Sequence, residues 1–449
     1  MLNSDCQPCL PCETLKLGRA PLFQFDFTMR HPKILTTLRT YSWPLFAADA
    51  MAGVTVAMVA IPLSLAIAIA SGATPAQGLV TAIIGGFFVS MLGGSRVQIG
   101  GPTGAFIVVV YGVIARHGYD GLVLATFMAG IILLIAGYFR IGNLIAFIPE
   151  AVVNGFTIGI AIIIGTSQLK DFLGLSTDAL PADFFGKLAG LFAARGTLNP
   201  WAVGVGLVTI VLIVVFRRAW PRLPGLIVAV AIGSALVALA HLPVDTIDGR
   251  FGALPNRLPA PHLPVFTLAR VTELLPSALI IAFLAGVESL LSAMVADRMI
   301  EGHHRPNAEV LAQGVANIAS SLFGGLPATG AIARTATNIR AGGKTPVAGI
   351  VHALVILALM MVAAPLAGYL AMPAMAALLI LTAWNMSEPH KWRGYMAARP
   401  SDRLLLLLTL VLTVTVDLTV AIGVGVSVGM ALRLRDRGAP RADWKTPDR

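Results

Sequence analysis

The residues of this chain best suited to hold an ion are glycines, prolines and one arginine set in otherwise apolar sequence. Gly100-Gly101-Pro102-Thr103-Gly104-Ala105-Phe106 and Gly324-Gly325-Leu326-Pro327-Ala328-Thr329-Gly330-Ala331-Ile332 spell nearly the same thing half a chain apart. Each breaks hydrophobic sequence and then restarts it, from Phe106 to Ala115 and from Ile332 onward. A restarted helix leaves its first N–H groups without intrahelical acceptors, and its dipole adds partial positive charge at that end. Such an end attracts anions. Paired Gly/Pro interruptions in matching positions of two halves predict an inverted-repeat transporter with a midplane site between broken helices.

Thr103 begins the first restart, where its hydroxyl and the N–H groups of Gly104 and Ala105 can donate to an anion. The plainer alternative is an N-cap that serves only its own helix. Gly330, Ala331 and Ile332, with Thr329 before them, are the pseudo-symmetric partners, small enough to let a ligand approach the backbone or to serve helix packing. Arg334, one turn into the second restart, would raise the positive potential there. Its alternative is an ion pair with a carboxylate that only holds the interior together. Glu288 lies midway along the apolar stretch Leu274 to Val295, and an acid at bilayer depth is functional by default or protonated and silent. Ser292 stands one turn on, on the same face. Hard oxygen ligands suit Na+, and a buried glutamate suits a proton equally well.

The elements that must position these residues are apolar segments of helix length. They fall at about 46–69, 75–93, 103–115, 121–139, 144–166, 200–216, 223–241, 273–296, 308–323, 330–340, 347–364, 366–384, 402–416 and 418–434. The two after the breaks are half-helices, since a full span needs roughly 20 residues. The fold class expected is therefore an all-α polytopic membrane protein, with fourteen transmembrane segments in a seven-plus-seven inverted repeat. The segment 182–194 is too short and mixed to span and reads as an interfacial helix. Asp49, Glu150 and Asp417 read as acids at helix starts, His352 as a core imidazole, and Gly423, Gly425 and Gly429 as a packing face.

Composition agrees with the membrane class. Of 449 residues, 57% are hydrophobic and only 12% charged, against roughly 25% charged in soluble domains; mean hydropathy is +0.82. The net charge of +10 reflects loops weighted with Lys and Arg rather than a nucleic-acid partner. Arg116, Lys170, Lys187, Arg195, Arg250, Arg257 and Arg270 fall on one side; apart from Arg334, every other Lys and Arg falls on the side of the termini. That bias puts both termini in the cytoplasm and the protein in the cell inner membrane. Residues 1–40 lack the features of a signal peptide and read as a cytoplasmic tail, as do residues 436–449. Cys6, Cys9 and Cys12 lack a fourth ligand and read as a loose reduced tail. No Walker motif is present, so ATP does not drive transport. No nucleophile–base pair or metal-ligand set lies at membrane depth, so no enzyme is expected.

The run Ala60-Ile61-Pro62-Leu63-Ser64-Leu65-Ala66, then Ala70-Ser71-Gly72-Ala73-Thr74-Pro75, Gly94-Ser95-Arg96 and Gly101-Pro102-Thr103, resembles the sulfate permease (SulP) family. So does Asn317-Ile318 leading to Gly324-Gly325 and on to Ala333-Arg334-Thr335, Asn338 and Gly342-Gly343-Lys344-Thr345. The family includes the relatives of the animal solute carrier 26 anion transporters, and the likeness is greatest to its BicA-like bicarbonate branch. It covers about residues 41–435. The resemblance implies a core domain (about 41–140 and 270–364) moving against a gate domain (about 141–242 and 365–435), in a homodimer surrounded by lipid. It places Thr103 and Arg334 near the anion. In the bicarbonate branch an acid and a hydroxyl four residues apart look like sodium ligands, here Glu288 and Ser292, with backbone carbonyls of the second break at Gly330. No other cofactor is implied.

Two departures stand out. Many relatives carry Gln and Tyr after Ile-Pro, where this chain has Leu63 and Ala66. Relatives usually continue into a cytoplasmic STAS domain, which is not expected here. The function expected is secondary active transport of bicarbonate or sulfate, coupled to Na+ or H+. A dicarboxylate or nucleobase-type permease of the same architecture is the alternative, and an anion channel a second.

Overall fold

The computed structural model describes residues 31–142, 149–177, 181, 183–220, 225–416 and 418–435. Cys6, Cys9, Cys12, Asp417, the C-terminal tail 436–449 and the start of the 144–166 segment lie outside the described residues.

The first half begins with α1 (Lys33–Thr37), α2 (Trp43–Ala70), α3 (Pro75–Val80) and α4 (Gly86–Leu92), the last two joined by a π turn over Thr81–Gly85. A two-residue strand β1 (Gly100–Gly101) and a 3-10 turn (Gly104–Phe106) lead into α5 (Ile107–Tyr138). Then come α6 (Glu150–Leu173), α7 (Phe184–Ala193), α8 (Pro200–Ala219), α9 (Gly225–Leu239) and α10 (Ile247–Phe251). The second half runs α11 (Leu268–Ile300), α12 (Pro306–Leu322), β2 (Thr329–Gly330), α13 (Ile332–Arg340), α14 (Val347–Gly368) and α15 (Met372–Met386). It ends with α16 (Trp392–Ala397), α17 (Pro400–Thr415) and α18 (Leu418–Arg435).

Local signals account for many boundaries. Pro75 opens α3 behind a capping box of Thr74 and Gln77, which satisfies two orphan donors. Thr267 caps α11, accepting from the Arg270 N–H; Gly174 ends α6 in the left-handed region at φ 61°, where glycine carries no penalty. Among the described residues, seven helical stretches are long and apolar enough to cross a membrane.

The segments 103–115 and 121–139 stay distinct within α5: Gly118 (φ 70°, ψ −180°) leaves helical conformation between them, so two helices meet at a kink, a conformation open to glycine. Two expectations change in detail. α14 continues through Pro365 to Gly368, and α15 starts only at Met372. Proline late in a helix is tolerated inside a membrane protein, where neighbours re-satisfy the backbone.

The second concerns Asp49, which does not cap its own helix. It sits a turn and a half into α2, fully buried. Its carboxylate accepts from the backbone N–H groups of Lys344 and Thr345 (2.8 and 3.1 Å), the Thr345 hydroxyl (2.5 Å) and the Tyr41 hydroxyl (3.1 Å). Burial, with the Asp49 charge, pushes the Tyr41 phenol up to about 12, so it keeps the hydrogen it donates. Asp49 thus ties the start of α2 to the turn before α14. Asp49→Ala should lower the thermal midpoint of the purified protein markedly, because each stranded buried donor costs about 1–3 kcal/mol; an unchanged midpoint would contradict that role.

Packing sorts the helices into two sets. α12 and α11 pack on α5, and α14 packs on α2 and α4. α17 and α15 pack on α6, and α8 packs on α9 and α15. The short α7 docks where the sets meet. Its Lys187 is buried, donates to the Ser167 hydroxyl of α6 at 3.1 Å and lies 5.1 Å from the ring centroid of Tyr111 in α5. Burial lowers the Lys187 pKa.

The two sequence breaks meet in the middle. β1 and β2 pair antiparallel, Gly100 opposite Gly330 and Gly101 opposite Thr329. The Ala331 N–H adds a bond to the Ile99 carbonyl (2.8 Å), and the Ile99 N–H donates to Thr335 Oγ1 (3.1 Å). Asn317 brackets the second break by bonding both the N–H and the carbonyl of Ala328. Backbone that leaves helix at membrane depth must find such partners.

Candidate functional site

Because the strands pair, the 3-10 turn from Gly104 and α13 start beside each other with their first N–H groups free of helical acceptors. They end in one cavity of about 1280 Å³. Its walls include Thr103, Gly104, Ala105, Glu288, Ala331, Ile332 and Arg334. The structure therefore gathers most of the residues singled out in the sequence. Gly330 and Ser292 lie behind this wall: Gly330 is paired in β2, and the buried Ser292 hydroxyl is 3.3 Å from Thr335 Oγ1. Ser292 is turned away from the cavity that Glu288 lines.

α13 differs from the lipid-facing helices in burying polar side chains, with Arg334, Thr335 and Asn338 on one face. Arg334 is 1% exposed. Its Nη2 donates to the Pro102 carbonyl at 2.7 Å and to Ser64 Oγ at 3.3 Å. Nε and Nη1 have no hydrogen-bond partner. Among the described residues Arg334 forms no ion pair, so the carboxylate-paired alternative is not met. A buried guanidinium with two open donors is suited to an anion.

Glu288 is half-buried on the cavity wall of α11. Its Oε2 accepts the Thr103 hydroxyl hydrogen at 2.8 Å. Thr103 does not cap its own turn; its hydrogen is directed to Glu288 rather than to the cavity. In this geometry the hydroxyl bridges the first break to α11.

Apolar side chains of α6 and α15 press closely on the first break. A Cβ at Gly104 would lie 3.2 Å from both Ile164 Cδ1 of α6 and Met386 Sδ of α15. Asn154 and Thr157 of α6 and Thr382 and Asn385 of α15 also line the cavity. Arg217, Arg298, Arg340 and Lys391, all exposed, line the cavity at the ends of their helices.

A model of the sulfate permease family matches residues 46–409. The chain belongs to this family. "Putative sulfate transporter YvdB" of Bacillus subtilis (strain 168) is 42% identical over 368 residues, covering 82% of this chain and 69% of that protein. "Bicarbonate transporter BicA" of Picosynechococcus sp. is 31% identical, covering 71% of this chain and 58% of its own length. "Sodium-independent sulfate anion transporter" of Bos taurus is also 31% identical, covering 77% and 62%. This chain therefore spans less than two thirds of the length of the latter two.

Among solved structures, the transmembrane domain of a cyanobacterial BicA superposes with a TM-score of 0.76 at 30% identity, covering 85% of this chain and 99% of that one. SLC26A9 superposes at 0.82 with 17% identity, covering 91% and 68%, a likeness of fold. This sulfate permease family member is a multi-pass membrane protein of a transporter family, not an enzyme.

Sequence reasoning passed over several residues that build the site. Ser64 and Gln98 are ordinary polar residues in the sequence; neither spacing nor charge marks them. Glu309 was legible as a second acid inside the apolar segment 308–323, the same signal that drew attention to Glu288.

Proposed function

We propose that this sulfate permease family member is a secondary active transporter of a small inorganic anion, bicarbonate or sulfate, coupled to Na+ or H+. One observation carries the reading: the two helix restarts, Arg334 and Glu288 share a single cavity. The anion is held by the restart N–H groups and the open guanidinium donors, and the cation or proton at Glu288 offsets the charge that the anion brings. The antiparallel pairing of β1 with β2 is what a seven-plus-seven inverted repeat with fourteen spans would produce. The two packing sets correspond to a core of about 41–140 and 270–364 and a gate of about 141–242 and 365–435, moving as bodies in a homodimer. With both termini cytoplasmic and the chain in the inner membrane, the exposed Arg217, Arg298, Arg340 and Lys391 face the cytoplasm, and the cavity they line is inward-open.

Uptake of labelled bicarbonate, sulfate and a dicarboxylate into vesicles, with and without Na+ or a pH gradient, tests this. Concentrative uptake of one inorganic anion that needs one of the gradients is the expected result. Current far above turnover with no cation dependence would replace the reading with a channel. Purine or pyrimidine uptake is disfavoured because the cavity-lining residues of the second break, Ala331 to Arg334, include no amide or carboxylate.

Thr103→Val keeps the shape and deletes the hydroxyl given to Glu288. Affinity for the anion and the coupling ion should fall several-fold, since a lost hydrogen bond is worth about 0.5–1.5 kcal/mol and more to a charged group. Saturated turnover should change less. A lowered thermal midpoint with wild-type affinities would make Thr103 structural only.

A further inference from the structure

A second acid, Glu309 in the first turn of α12, is fully buried and takes no part in the site described above. Among the described residues it forms no ion pair. Its carboxyl group is hydrogen-bonded through both oxygens. Oε2 accepts from the Gly94 and Ser95 N–H groups at 2.8 and 3.2 Å. Oε1 accepts from the Ser289 hydroxyl at 3.0 Å and from Gln313 Nε2 at 3.3 Å.

These two oxygens face two different parts of the ion site. The Oε2 arm holds the turn that leads through Val97, Gln98 and Ile99 into β1 and the first break. That turn has no room to shift: the Arg305 N–H donates to the Gly94 carbonyl at 3.0 Å, and a Cβ on Gly94 would lie 2.1 Å from the Arg305 carbonyl oxygen. The Oε1 arm holds Ser289, the residue after Glu288 on α11. Ser289 in turn accepts from Gln98 Nε2 at its hydroxyl (2.8 Å) and at its carbonyl (3.2 Å). Gln98 Nε2 lies where a Cβ on Gly330 would fall, 1.5 Å away, so the chain of contacts ends against the second break.

We propose that Glu309 is a positioning residue: by clamping the turn before the first break and Ser289 at once, it fixes Glu288 against Thr103 and the paired breaks. It touches neither ion. A carboxylate suits this role because it alone accepts four donors from two directions; an amide of the same size must turn one donor toward the backbone N–H groups or the Ser289 hydroxyl. The proposal rests on the reading of the breaks and Glu288 as the ion site.

The test uses the full chain, purified and reconstituted, with Glu309→Gln and Ser289→Ala. Ser289→Ala cuts only the α11 arm and leaves the turn clamped, so it tests the idea even where Glu309→Gln folds poorly. Half-saturating concentrations of bicarbonate or sulfate, whichever the wild type carries, and of Na+ or H+ are measured beside the thermal midpoint. Both variants should need several-fold more anion and coupling ion for half-maximal uptake, with saturated turnover nearly kept. A role in stability alone would lower the midpoint and leave both half-saturating concentrations at wild-type values in folded protein, and that result overturns the proposal. Should the wild type respond to neither Na+ nor pH, the cation reading of Glu288 fails. A loss of anion affinity in both variants would still support the clamp, and unchanged anion affinity would remove it.

Discussion

Arg334→Ala is expected to reduce anion affinity by about a hundredfold while leaving folded protein in the membrane. The residue is buried on the cavity wall, with Nε and Nη1 unpartnered and Nη2 on the Pro102 carbonyl. Hydrogen bonds to charged groups contribute roughly 1.5–3 kcal/mol, and each 1.4 kcal/mol is about a tenfold change in affinity. The change also strands a buried carbonyl at the first break, so alanine removes both an anion donor and a strut.

Two further substitutions separate those parts. Arg334→Lys keeps the charge but loses the planar fork; Arg334→Gln keeps a donor for Pro102 and loses the charge. If charge at the site dominates, anion affinity falls in the order Arg, Lys, Gln, Ala. If the strut dominates, Gln matches or exceeds Lys. Wild-type half-saturation in a well-expressed Arg334→Ala protein would remove the residue from the site.

Much of this was legible because membrane sequence makes interruptions conspicuous. Apolar helices must satisfy their own backbone, so Gly100–Thr103 and Gly324–Gly330 could only be breaks, and a lone Arg334 beyond one of them needed a purpose. What periodicity could not give was direction. A hydroxyl rotates, and only packing decides that Thr103 bonds Glu288 while Ser292 turns to Thr335. Asp49 looked like a helix-start acid because sequence does not reveal the Lys344–Thr345 turn, nearly 300 residues on, that comes to it. The glycine face of α18 was partly readable. Gly425 and Gly429 lie close against Val152, Thr409 and Pro149, where a Cβ would intrude, whereas Gly423 has open space. Regular spacing marks a face, and only the neighbour shows where that face stops.

Glu288→Gln is expected to uncouple the transporter. The amide keeps the size of the acid, and its carbonyl can still accept the Thr103 hydroxyl, so the bridge to the first break survives while the charge is lost. Uptake should then no longer respond to the driving cation, and accumulation against a gradient should fail. If Na+ is that cation, it should protect the wild type from heat, since a ligand at a hundred times its Kd stabilises the native state by about 2.7 kcal/mol, and the variant should gain nothing. If the ion is H+, wild-type uptake should rise as external pH falls, with no response to Na+. The choice between them turns on the second oxygen. Ser292 would have favoured Na+, but its hydroxyl lies off the cavity wall beside Thr335, which leaves the Thr103 hydroxyl as the oxygen nearest Glu288. A Na+ ion there would draw on the Thr103 hydroxyl oxygen, so Thr103→Val should alter Na+ affinity more than Ser292→Ala does. A proton needs no such second oxygen, so in that case neither hydroxyl change should abolish the pH response, and only Glu288→Gln should. Full concentrative uptake by Glu288→Gln with its ion dependence intact would make the residue structural and move coupling elsewhere.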